Sequence, residues 1–76
     1  MKWISITDRL PDCEDVDVKY DDGTEFDATW VDDQFQIMGG QFYVARQCNG
    51  FKEFNISKQE YTGLRITHWK PYEKRR

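Results

Sequence analysis

Apolar and polar residues alternate with a period of two along most of the chain. Val16, Val18 and Tyr20 alternate with Asp17 and Lys19, and Phe26, Ala28 and Trp30 alternate with Asp27 and Thr29. That period marks strands with one buried and one wet face, whereas a helix would repeat every 3.6 residues. Phe35/Ile37, Phe42/Val44, Phe54/Ile56 and Leu64/Ile66 continue the rhythm. The connections are short, so the predicted sheet is antiparallel.

The turns then fix the register, because a slip of one residue moves a whole strand to the other face. At Asp21-Asp22-Gly23 a three-residue loop sets Val18 opposite Phe26, Val16 opposite Ala28 and Lys19 opposite Glu25. A two-residue loop would oppose Val18 to Asp27, so the longer loop is preferred, with Gly23 in the left-handed position of a bulge. Asp32-Asp33 reads as a two-residue loop pairing Trp30 with Phe35 and Ala28 with Ile37. Gly39-Gly40 likewise pairs Ile37 with Phe42 and Phe35 with Val44. Cys48-Asn49-Gly50 is read as a three-residue loop that pairs Val44 with Phe54 and Phe42 with Ile56. All four turns then agree on one inner face, which runs from Val16, Val18 and Tyr20 through Trp30 and Val44 to Phe54 and Ile56.

Ser57 with Glu60 three positions on matches a capping box, which predicts one or two helical turns over 58–62 closed by Gly63. A last strand is expected from Leu64 to Trp69, ahead of Pro71. At the front, Trp3 to Ile6 is expected to be extended, and Thr7 to Leu10 to form a tight turn before Pro11. The predicted fold is mainly β: a small antiparallel meander curled into a barrel-like sheet, with one short helix near residues 58–62. Closure of that kind hides strand edges.

A chain of 76 residues holds one domain, 1–76, with 72–76 expected as a frayed basic tail. Its core must be aromatic, since three Trp, four Tyr and five Phe can supply about half of the apolar surface it has to bury. No run approaches the ~18 apolar residues of a membrane span. The N-terminus has neither a basic cluster nor an apolar run after it, so no secretory signal is expected. Cys13 and Cys48 are therefore expected to be free thiols in a reducing cytoplasm. With His68 they lack the close pairing of a zinc site, and neither metal nor cofactor is expected.

Charge changes the picture most. Residues 1–33 hold three cations against eleven carboxylates, a net −8, while residues 34–76 hold eight against three, a net +5. Such polarity points outward, towards a charged partner.

The two ends carry a recognisable pattern. Trp3-Ile4-Ser5-Ile6 followed by Asp8-Arg9-Leu10-Pro11 opens the chain, and Ile66-Thr67-His68-Trp69-Lys70-Pro71 nearly closes it. The chain resembles the domain-of-unknown-function family five-five-one, small proteins of phages and prophages. Lys70 stands where that family usually has Met, and Tyr72-Glu73 where it has Leu-Pro. The resemblance implies an accessory protein of phage or prophage origin, acting in the cytoplasm of a bacterial host. Such a protein is expected to bind a host or phage protein, and inhibition of a bacterial defence system is one role of that kind. A homo-oligomer is compatible with it.

The candidate interaction surface comprises the carboxylates Asp15, Asp17, Asp21, Asp22, Glu25, Asp27, Asp32 and Asp33, together with Trp3 and Trp69. Asp15, Asp17, Glu25 and Asp27 are expected on the outer face. An array of carboxylates can imitate DNA phosphates, so an acidic nucleic-acid mimic is the alternative reading. The plainer one is a solvated face with Asp in turns for backbone reasons. Trp3 and Trp69 are expected at the seam between the chain ends, and His68 is expected to be hydrogen-bonded beside Trp3. Lys70, Lys74, Arg75 and Arg76 form the candidate nucleic-acid contact, where each phosphate contact would add salt-dependent affinity. No phosphate loop, nucleophile motif or paired-carboxylate motif occurs, so an enzyme is not expected.

Overall fold

A computed structural model describes residues 2–12, 14–47 and 50–72. Seven strands follow one another: β1 (Ile4–Ser5), β2 (Asp15–Tyr20), β3 (Glu25–Val31), β4 (Gln34–Ile37), β5 (Phe42–Gln47), β6 (Gly50–Asn55) and β7 (Glu60–Pro71). All pairings are antiparallel, in the order β1-β7-β2-β3-β4-β5-β6 with β6 returning to β7. β2 to β7 thus close a six-stranded barrel, as the strand pattern predicts. β7 serves two neighbours along its length: residues 60–66 pair with β6, and 66–71 pair with β2. β1 extends the seam by setting Ile4 opposite Trp69 and Ser5 opposite His68.

The first three hairpins have the expected register. Val18 opposes Phe26, Lys19 opposes Glu25, Trp30 opposes Phe35, and Phe35 opposes Val44. Gly23 has φ 91°, a conformation that costs glycine little. Tyr20 N–H donates to the Thr24 carbonyl (2.9 Å) and Gly23 N–H to that of Tyr20 (3.0 Å), which closes the three-residue loop. Asp32 and Asp33 both have positive φ, the mirror-image turn that matches the twist of a two-residue hairpin. Phe26, expected inside, is 46% exposed. The β2–β3 hairpin outruns β4, whose pairing with β3 ends at Ala28, so Phe26 has no β4 partner and packs edge to face with the Tyr20 ring, at 5.6 Å.

The fourth hairpin is one residue out of the expected register. Gln47 opposes Gly50, so Val44 meets Glu53 rather than Phe54, and Phe42 meets Asn55 rather than Ile56. The inner face of β6 therefore carries Phe51 and Glu53; Phe54 lies outside and Ile56 is 42% exposed. Gly50 has positive φ as expected (116°), but as the first residue of β6. The shift is tolerated because the inward carboxylate is satisfied. Tyr20 O–H donates to Glu53 Oε2, and Thr62 Oγ1 donates to Glu53 Oε1 (2.9 Å). Burial first, then the Glu53 hydrogen bond, push the Tyr20 phenol well above its ordinary pKa. No buried side-chain polar atom among the described residues lacks a partner.

The expected helix over 58–62 does not form. Asn55 Oδ1 accepts Lys58 N–H (3.0 Å), a local bond that competes with helix. Gln59 then adopts φ 56°, and β7 starts at Glu60 rather than Leu64. Gly63 (φ 90°) sits inside β7, near the shift in the β6–β7 register. The core is aromatic: Trp30 packs edge-on to Phe35 (4.8 Å) and Phe51 (5.8 Å), among Val16, Val18, Val44, Ile66 and Trp69. Of the expected basic tail, 73–76 lie outside the described residues, as do Cys13 and Cys48.

Candidate binding surface

Cross-strand pairing strings outward side chains into rows around the barrel. One row runs Thr29–Gln36–Tyr43–Phe54–Tyr61 across β3 to β7, each residue directly opposite the next. The adjacent row runs Val31–Gln34–Ala45–Lys52–Arg65 across the same strands. Three aromatics therefore stand side by side on the outside of β5, β6 and β7. Tyr43 and Phe54 are 5.3 Å apart between centroids, and Phe54 and Tyr61 are 5.1 Å apart, edge to face. Tyr61 is 53% exposed, and its hydroxyl accepts Gln47 Nε2–H (3.1 Å).

Apolar surface continues past the rings. Met38 (53% exposed) and Ile56 (42%) flank a groove of about 340 Å³ that also touches Phe42 and Tyr43 beside the Gly39-Gly40 turn. At the other end of the strip a cleft of about 360 Å³ is bounded by Tyr61, Lys52, Arg65 and Gln47. Arg65 is held in place through its backbone, because Asp21 N–H donates to its carbonyl (2.8 Å) and its own N–H donates to Asp21 Oδ1 (3.4 Å).

The expected acidic surface is divided. Asp21 and Asp22 lie at the β2–β3 turn with Glu25 and Asp27 next to them, whereas Asp32 and Asp33 occupy the opposite end of β3. Asp15 faces Thr29 and accepts its hydroxyl (2.9 Å). Asp22 takes the Thr24 hydroxyl and then its N–H, and these bonds lower its carboxyl pKa. Asp17, expected to be exposed with its neighbours, is only 7% exposed, on a row between Asp27 and Lys70. The closure of β2 against β7 covers it, which the strand pattern of β2 alone cannot show.

Trp69 belongs to the core at 1% exposure, so it offers no contact surface. Its Nε1–H donates to the Arg9 carbonyl (2.9 Å), and the Arg9 guanidinium lies 5.4 Å over its ring. Trp3 is half-buried at the seam, with the ammonium groups of Lys19 and Lys70 each 4.7 Å from its ring centroid. Lys70 is thus engaged on Trp3; Lys74, Arg75 and Arg76 lie outside the described residues. His68 lies opposite Ser5, and its Nδ1 is 2.9 Å from Thr67 Oγ1. Among the described residues no group of three or more His, Cys, Asp or Glu side chains could hold a metal ion.

A family model described as a protein of unknown function, DUF551, matches residues 2–74. The chain belongs to the DUF551 family. No curated protein and no solved structure matches it. The match includes all seven strands of this DUF551 chain, from β1 to β7.

Sequence reasoning missed Tyr43, Phe54, Tyr61, Lys52, Met38 and Ile56 as a surface. A signal existed: Phe51 and Phe54 differ in parity, so only one of them can face inward. Choosing Phe51 would have turned Phe54 outward beside Tyr43 and put Glu53 in the core.

Proposed function

We propose that this DUF551 protein is a non-enzymatic binding module that docks a partner protein on its outer aromatic strip. One observation carries the reading: Tyr43, Phe54 and Tyr61 form a ring cluster on the outside of the barrel that continues into exposed Ile56 and Met38. Tyrosine, phenylalanine and methionine are the residues enriched at protein interfaces, and tyrosine recurs among their energetic hot spots. Contiguous exposed apolar surface on a small domain usually has a partner. The strip costs stability that inward packing would have supplied, which supports a use for it outside the fold. The setting is the one its motifs imply: a phage or prophage accessory protein in a bacterial host, acting on a host or phage protein, for instance by inhibiting a defence system.

The acidic hairpin supports a second reading, mimicry of a nucleic acid. Asp21, Asp22, Glu25 and Asp27 are all exposed at one end of β2–β3. The two readings part in a capture experiment from nuclease-treated bacterial lysate. Tyr61→Ser with Ile56→Asp should abolish capture by the strip, while Glu25→Lys with Asp27→Lys leaves it intact. The opposite pattern would assign binding to the acidic hairpin and sink the first reading.

A further inference from the structure

The aromatic strip is neutral to cationic in a chain that is acidic as a whole. The sequence holds 14 carboxylates and a net charge of −3. β4, β5 and β6 hold one carboxylate between them, Glu53, which is turned into the barrel and bound by Tyr20 and Thr62. Cations stand at both margins of the rings. Lys52 lies in the outward row next to Phe54. Lys58 is exposed at the Ile56 end of the strip, with its backbone N–H fixed on Asn55 Oδ1 (3.0 Å). Glu60 opposes Asn55, one step past the Phe54–Tyr61 pair, and so points to the other face. A partner that lays apolar side chains on the rings therefore meets positive charge at its edges, where carboxylates complement it.

The rings also set the shape of that partner. β5 and β6 are paired on both sides, so they offer no free edge for an added strand. Recognition has to come through side chains. Tyr43, Phe54 and Tyr61 repeat at 5.3 and 5.1 Å across the strands, close to the ~5.4 Å pitch of an α-helix. A helix laid across β5, β6 and β7 puts one apolar side chain per turn against successive rings. Its next apolar positions, three or four residues along, then face the groove of about 340 Å³ beside Tyr43 that Met38 and Ile56 flank.

Taking the strip as the docking site proposed above, we infer that it receives an acidic amphipathic α-helix of the partner protein. The apolar stripe of that helix lies across Tyr43, Phe54 and Tyr61, and its carboxylates face Lys52 and Lys58.

Three synthetic peptides of about 18 residues, long enough for helix to form in water, test this on the intact chain. The first sets Leu at helical spacing among Glu and Ala, the second replaces every Glu with Lys, and the third scrambles the first. In an amide-resolved NMR titration to about 1 mM, the first should move the resonances of Tyr43, Phe54 and Tyr61. It should also bind at least about 10-fold more tightly than the other two. Lys52→Glu with Lys58→Glu should weaken the acidic peptide about 10-fold and turn the preference to the basic one, which loss of folding would not produce. Phe54→Ser should weaken the acidic peptide about 10-fold. Thermal melts establish that each variant is folded, and the lysine pair carries the test if Phe54→Ser is not. No movement of the ring residues at about 1 mM overturns the helix, as does equal binding by the basic or scrambled peptide, or indifference to the lysine pair. The strip outlives such a result as long as Tyr61→Ser with Ile56→Asp abolishes capture from lysate; capture that survives that pair removes the docking site itself.

Discussion

The barrel has two unlike sides. On β2 to β4 the apolar side chains of the barrel body turn inward and the charges mostly outward, so Val16, Val18, Ala28, Trp30 and Phe35 are buried while Asp15, Glu25 and Asp27 are exposed. On β5 to β7 that division is partly reversed. Glu53 goes in, and Phe54 and Tyr61 go out with Tyr43. The first side can be explained by folding alone. The second cannot, because burying a carboxylate requires partners for it and exposing rings forgoes core contacts. Sites where local rules fail against the rest of a fold are where function is to be sought.

The two sides should differ most in what their rings contribute to stability. Trp30→Ala and Phe51→Ala should each cost about 3–5 kcal/mol in urea melts, because both rings are buried against Phe35. Phe54→Ala, half-buried on the outside, should cost only about 1 kcal/mol. If Phe54→Ala proved as damaging as Phe51→Ala, the inward and outward assignments of β6 would be wrong.

The Tyr20–Glu53–Thr62 network comes next. Glu53→Ala leaves the buried Tyr20 hydroxyl without its acceptor and should cost about 1–3 kcal/mol. The network also sets an alkaline limit. Tyr20 stays neutral in the fold well above the pH near 10 at which an unfolded tyrosine ionises. Its contribution is therefore complete below about pH 10 and is lost as pH rises beyond it. Tyr20→Phe should flatten that alkaline decline relative to the parent. Identical slopes for the two proteins would place Tyr20 outside the network.

How far the sequence could be read follows the same division. Three hairpins were legible because each offered one register that set apolar residues opposite apolar ones; at Asp21-Asp22-Gly23 the alternative opposed Val18 to Asp27. The fourth was not, because the true register puts Glu53 inside, and its partners lie 33 residues back at Tyr20 and nine residues on at Thr62. No periodicity reports a contact of that span. The capping-box reading of Ser57 and Glu60 failed for a local reason, since Asn55 offered the backbone a turn first. Trp3 at the seam was legible from the paired end motifs. The burial of Asp17 was not, since it depends on β7 lying beside β2.

The smallest effects belong to the acidic side. Asp15→Lys, Glu25→Lys and Asp27→Lys should each change stability by no more than about 0.5 kcal/mol. Asp17→Lys, at a buried position beside β7, should cost several times as much. Equal tolerance at all four would mean that β2 does not close against β7 as described.

The inward turn of Phe51 and the outward turn of Phe54 on β6 can be tested without any mutation. In a nuclear Overhauser spectrum of the folded chain, the Trp30 indole should show cross-peaks to the Phe51 ring, whose centroid lies 5.8 Å away. The Phe54 ring should connect instead to Tyr43 and Tyr61. Cross-peaks from Trp30 to Phe54, with none to Phe51, would restore the other register. They would put the aromatic strip back in the core and leave the binding surface without its anchor.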